Sequence, residues 1–221
     1  MNNKKISFTY NDISLNFNKG TFITVLGNSN KSILQSLNDK YNSIIYEKLL
    51  NNKSNSTVYD CIFKYAKSIK KTKEYLVNYN LIEYEKEIVS KLDINEKIKL
   101  EILLQLINKS NIIVIYNILS LLDYNDFKLI MKVLLSIKNK IVINFTNNIS
   151  ESFFGDEILI INDDKLICYG KTLAVLNEEK ILKKLGLGLP FIIELNRYLM
   201  DYELINKYYL TNEKLVGALW K

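Results

Sequence analysis

Histidine is absent from this 221-residue chain, so the commonest general base and the commonest metal ligand are both missing. The two cysteines, Cys61 and Cys168, stand far apart and outside any C-x-x-C pattern. That excludes a disulfide framework and a cysteine metal cluster, and it suits a reducing compartment. Arg197 is the only arginine; the rest of the 30 basic residues, behind a net charge of +6, are lysine. The bidentate fork that reads phosphate and guanine is therefore nearly absent. The lysines are scattered, with "KSIKKTK" (Lys67 to Lys73) the densest run, and a solvated helix face is preferred there to a nucleic-acid surface. No apolar run is long enough to span a bilayer, because Ile102 to Leu122 is interrupted by "NKSN". The opening "MNNKKISFTY" lacks the apolar stretch of a signal peptide.

With 48% hydrophobic and 24% charged residues, the chain fits one globular domain with a sizeable core. "ISFTY" (Ile6 to Tyr10) and "ISLNF" (Ile13 to Phe17) alternate like half-buried antiparallel strands, and "TFITVL" (Thr21 to Leu26) follows as an apolar one. "SIIYE" (Ser43 to Glu47) is a further strand candidate. From Asp60 to Leu92 the pattern is helical and charged, and "KIKLEILLQLI" (Lys97 to Ile107) continues as helix. "NIIVIY" (Asn111 to Tyr116) predicts a fully buried strand at the sheet centre, "YNDFKLIMKVLLSI" an amphipathic helix, and "KIVINFT" (Lys140 to Thr146) another buried strand. "DEILIINDDKLICYG" reads as a hairpin. From about Glu178 the chain is helical, broken at "GLGLP" (Gly186 to Pro190). Strands alternating with helices predict an α/β fold: a mixed, mostly parallel sheet with antiparallel edge strands, a small helical subdomain and a helical C-terminal tail.

"VLGNSNKSIL" (Val25 to Leu34) follows the strand Thr21 to Leu26 and opens a helix, in the manner of a phosphate-binding loop. Gly27 and Lys31 are four positions apart instead of six, and Asn30 precedes the lysine. With "LDINEKIK" (Leu92 to Lys99), "IIVIYNILSLLD" (Ile112 to Asp123) and the tail segments "LKKLGLGLPFIIELNRYL" and "LTNEKLVGALWK", the order of pieces resembles an ATP-binding cassette (ABC) ATPase of the P-loop class. It is most similar to the ATPase subunits of energy-coupling factor transporters.

That resemblance implies a nucleotide-binding domain over residues 1–177, with a helical arm and signature-like helix at 60–110, and a dimerisation or docking segment at 178–221. Tyr10 matches the aromatic that stacks on adenine, with packing on the core as the other reading of a strand tyrosine. Gly27, Asn28, Ser29, Asn30 and Lys31 match the phosphate loop, and Ser32 the hydroxyl that holds Mg²⁺. Asp123 matches the D-loop aspartate, and Glu47 falls near the Q-loop. The catalytic positions depart from the family. Tyr116 stands at the metal-fixing aspartate, Asn117 at the glutamate that acts as base, and Asn147 at the switch histidine. Neither a phenol nor an amide does the work of those groups. Asp93 and Ile94-Asn95 replace the serine and glycines of the signature, and Asp93 with Glu96 has capping-box spacing.

The resemblance thus implies a degenerate ATP-binding subunit, a pseudo-ATPase, with ATP binding weak or absent and no well-held Mg²⁺. Its partners would be a second ABC ATPase subunit, as hetero- or homodimer, a transmembrane coupling subunit and a substrate-binding membrane subunit, with no nucleic acid. Its place would be cytoplasmic, peripheral on the inner face of the cell membrane. The alternative is a soluble regulatory or interaction protein on the same fold; a third reading is an active ATPase with unusual residues.

Overall fold

The computed structural model describes residues 5–10, 13–27, 33–37 and 55–220, with side chains from residue 16 onward. The strand candidate at 43–47 and the loop residues 28–32 lie outside the described residues. Strands β1 (Lys5–Tyr10) and β2 (Ile13–Asn18) pair antiparallel as a separate ribbon, with Tyr10 opposite Ile13. The main sheet has five strands, β3 (Phe22–Leu26), β4 (Ile112–Tyr116), β5 (Ile141–Phe145), β6 (Glu157–Asn162) and β7 (Lys165–Lys171), in the order β4-β5-β3-β6-β7. All its pairings are parallel except β6 with β7. The α/β class is as the sequence predicts.

One placement differs. The strand Ile112–Tyr116 forms, but it ends the described sheet, and β3 is central. The apolar run reported burial of both faces, which holds, since Ile112 to Ile115 are fully buried. It carries no information on strand order. The hairpin between β6 and β7 turns on Asp163 and Asp164, both left-handed at φ +48° and +58°. That is the two-residue turn whose twist matches the flanking strands.

Alternation along the strands divides the core. Phe22, Ile113, Ile115 and Val142 face one layer, and Ile23, Val25, Ile112, Val114, Ile143 and Phe145 the other. The first layer is covered by helices α2 (Val58–Ala66), α3 (Ile69–Asn78), α4 (Ile94–Ile107) and α5 (Tyr124–Ser136). The second is covered by α1, helical over residues 33–37, through Ile33, Leu34 and Leu37. The arm is less helical than its sequence predicts: after α3 it continues as short 3₁₀ turns at Ile82–Tyr84 and Val89–Lys91.

After the short helix α6 (Thr172–Leu176), the tail comprises α7 (Glu179–Lys184), α8 (Phe191–Asp201) and α9 (Asn212–Leu219). It buries Ile192, Ile193 and Leu215 in one cluster with Ile158 and Ile160 of β6. The predicted break is present, with Gly186 and Gly188 at φ +68° and +67° and Pro190 capping α8.

Helix α4 is buried around its circumference from Ile98 to Leu103, and Glu96, Lys99, Glu101 and Gln105 are among its buried residues. Its C-terminus is held by Lys140, the residue before β5. The Lys140 Nζ donates to the carbonyls of Gln105 (3.0 Å), Asn108 (2.8 Å) and Ser110 (2.6 Å), so a cation meets the negative end of the helix. Burial, with a smaller contribution from Lys19, pulls the Lys140 ammonium down to about 8. The unfolded chain therefore binds more protons between pH 8 and the ordinary lysine value, and this contribution to stability rises with pH across that window. In urea unfolding, the stability gap between wild type and Lys140→Met is expected to widen from pH 8 to about pH 10.4. A flat or narrowing gap contradicts this account of Lys140.

Candidate functional site

The parallel strands β3, β5 and β4 end side by side, with Val25 and Tyr116 both in register with Phe145. In open α/β sheets the carboxyl ends of such strands are where ligands bind. Gly27 and Asn117 follow directly on the ends of β3 and β4, and Asn147 follows Thr146 after β5. Gly27 lies at φ +116°, and a Cβ there would sit 1.9 Å from the Ile161 carbonyl oxygen. The glycine is thus required by the close approach of β6, whatever follows it. Asn28, Ser29, Asn30, Lys31, Ser32 and Glu47 lie outside the described residues, and Tyr10 is placed by its backbone alone.

The strand ends are bonded to one another. Asn117 is left-handed at φ +48°, a conformation that asparagine tolerates better than most residues. Its N–H donates to the Phe145 carbonyl at 2.9 Å, and its Oδ1 accepts from the Asn147 N–H at 3.1 Å. The two sequence-predicted positions are brought together, and the amide oxygen of one is used by the backbone of the other. Asn148 Oδ1 then caps the next turn by accepting from Ser150 N–H at 3.0 Å. Tyr116 is half-buried and packs against the apolar cluster of Val25, Ile143 and Phe145.

A second junction joins the start of α4 to the segment after β4. Asp93 caps α4, accepting from Glu96 N–H at 3.3 Å. Only that half of the predicted capping box forms, because the Glu96 carboxylate turns inward, 3.5 Å from Lys99. The Lys99 ammonium, 4% exposed, also meets Asp126 of α5 at 2.8 Å. Asn95 Oδ1 accepts from Asp123 N–H at 3.2 Å, and Asp123 Oδ1 caps α5 at Asp126 N–H, 2.9 Å. The carboxylates of Asp93 and Asp123 thus each serve a helix of this chain.

Tyr116 and Asn117 at the end of β4, and Thr146 and Asn147 after β5, offer a phenol, a hydroxyl and two amides, and none of these four carries a carboxylate. Among the described residues no group of three His, Cys, Asp or Glu side chains could hold a metal ion.

No protein-family model matches the chain. The energy-coupling factor transporter ATP-binding protein EcfA1 of Lactobacillus delbrueckii subsp. bulgaricus is 28% identical over 117 residues, 51% of this chain and 42% of that protein. EcfA of Malacoplasma penetrans is 26% identical over 176 residues, 78% of this chain and 58% of that protein. This chain is similar to the energy-coupling factor ATP-binding proteins. It spans about half the length of these curated relatives. Among solved structures, cbiO1 from Clostridium perfringens, part of the ABC transporter complex cbiONQ, superposes with a TM-score of 0.60 at 16% identity, covering 88% of this chain and 97% of that one. The fold is the ATP-binding cassette.

Within this cassette, sequence reasoning missed the Lys99 cluster, the Asn95–Asp123 bond and the Lys140 cap. For Lys99 there was a local signal, its spacing of three from Glu96 on one helix face. A second missed pair is Asn144, buried within β5, whose Nδ2 donates to Glu151 Oε2 at 2.8 Å; burial raises the Glu151 carboxyl. The asparagine inside the apolar run "IVINF" was its only sequence trace.

Proposed function

We propose that this chain is a degenerate ATP-binding subunit, a pseudo-ATPase of an energy-coupling factor transporter, acting as a structural partner. Residues 1–177 serve as the nucleotide-binding domain, and the tail at 178–221 as a dimerisation or docking segment. The partners are a second cassette ATPase, a transmembrane coupling subunit and a substrate-binding membrane subunit, at the inner face of the cell membrane and without nucleic acid. The observation that carries this reading is the Asn117–Asn147 bond. The residue at the position of the catalytic base is an amide that cannot accept a proton from water, and its oxygen is engaged by a backbone N–H. Asp93, capping α4, adds negative charge where the signature of the family meets a phosphate.

Exposed apolar side chains on the tail, among them Phe191, Tyr198, Tyr202 and Trp220, suit a docking role. ATP affinity is expected to be far poorer than that of an intact cassette and to change little with Mg²⁺, as read by calorimetry. Tight, Mg²⁺-dependent binding contradicts the proposal. Affinity capture from native cells is expected to recover a second cassette ATPase with a polytopic membrane protein. Recovery of soluble partners alone favours a regulatory role instead.

A further inference from the structure

Helices α2 and α3 pack on each other and are joined only by Lys67 and Ser68. Lys67 is left-handed at φ +50°, and Ser68 caps α3 through Lys71 N–H. Val58 and Ile62 of α2 and Thr72 and Leu76 of α3 face the core, which leaves the other faces to solvent. The end of the arm at this turn is basic, with Asp60 and Glu74 flanking the run. From Cys61 to Lys73 there is no acidic residue. Lys73 pairs with Glu85 at 2.7 Å, whereas Lys64, Lys67, Lys70 and Lys71 are exposed and make no ion pair among the described residues. Among these lysines stand Tyr65, 45% exposed, and Ile69, 66% exposed.

We propose that this turn is a docking surface for an anionic lipid bilayer. Lysines at a negatively charged leaflet attract over a screening length, and one apolar and one aromatic side chain between them can enter the headgroup layer. The charge is complementary to that surface and to few others. The exposed apolar side chains of the tail, by contrast, are interspersed with the exposed acids Glu194, Asp201 and Glu203, which an anionic leaflet repels. A nucleic acid fits less well, since no arginine fork accompanies the lysines. The inference goes beyond the transporter reading, because contact with lipid needs no membrane protein.

The test is co-sedimentation of the purified full chain with phosphatidylcholine vesicles, with and without phosphatidylglycerol. Partition is expected only into the anionic vesicles, and it is expected to vanish when salt rises from about 0.1 M to about 1 M, which shortens the screening length from ~10 Å to ~3 Å. A variant carrying Lys67→Asn, Lys70→Gln and Lys71→Gln is expected to lose about a hundredfold, near fivefold per lysine. Asparagine is chosen at 67 because it tolerates the left-handed backbone. Ile69→Gln, with every charge kept, is expected to lose severalfold. All four positions are exposed, so circular dichroism should show each variant folded. Equal binding to neutral vesicles, binding unchanged in the lysine variant, or preference for single-stranded RNA in direct competition would each overturn the proposal.

Discussion

Lys99→Met is expected to lower the unfolding free energy by about 3–5 kcal/mol, because it leaves buried carboxylates without their cation. Domains of this kind have ~5–15 kcal/mol in total, so the variant should be marginal at 37 °C. Methionine preserves the length and apolar stem of the lysine, and only the ammonium is lost. What remains is Asp126, formerly 2.8 Å from the charge, and Glu96 at 3.5 Å, both largely shielded from water. The effect should reach the site, since the same two helix starts are joined by the Asn95–Asp123 bond at 3.2 Å. A rescue separates loss of charge balance from loss of packing. The triple variant Glu96→Leu, Lys99→Met, Asp126→Leu removes the whole cluster and is expected to recover most of the stability, as buried ion clusters replaced by apolar residues commonly do. Urea unfolding of the wild type, single and triple variants reads both effects. A Lys99→Met chain within about 1 kcal/mol of wild type would place the cluster among surface pairs of little consequence.

That cluster also shows where sequence reading stops. The Asp-x-x-Glu spacing at Asp93 correctly marked the start of α4, because a cap is a local event within four residues. The same spacing assigned Glu96 to a reciprocal box, whereas its carboxylate goes to Lys99. The competitor for that lysine, Asp126, arrives from another helix and leaves no trace in the local pattern. Lys140 is a similar case: a lysine at the start of a strand looks solvated until the end of α4 is laid over it. Strand β4 was legible as a fully apolar run, β5 as a buried one, and the β6–β7 hairpin as two runs around a polar pair. The order of strands was not, since burial of both faces looks alike at a sheet's centre and at its end. At the site, asparagine after β4 admitted a left-handed backbone. The bond from Asn117 to Asn147 depends on two strand ends meeting, which only the sheet decides.

Restoring the catalytic base alone is expected to restore no activity. Asn117→Glu, and Asn117→Glu with Tyr116→Asp, should release phosphate no faster than the buffer blank, alone or with a cassette partner. The first reason is local. Residue 117 sits at φ +48°, where glutamate is less at ease than asparagine, and the acceptor of the Asn147 N–H is removed. The substitution should therefore also destabilise the fold by about 1–3 kcal/mol. The second reason is packing. Tyr116 lies against the apolar cluster of Val25, Ile143 and Phe145, so an aspartate there enters apolar surroundings beside a second new carboxylate, with no cation to hold the pair. The third is catalytic. A general base contributes about 10²–10⁴-fold, but only where metal, phosphate loop and nucleophile are already placed, and groups that act as a unit regain little when restored singly. Gly27 and Lys31 stay four positions apart, and Asp93 still heads α4. Steady phosphate release from Asn117→Glu alone, abolished by Lys31→Ala, would mean that a single amide separates this chain from a working ATPase and that the pseudo-ATPase reading is wrong.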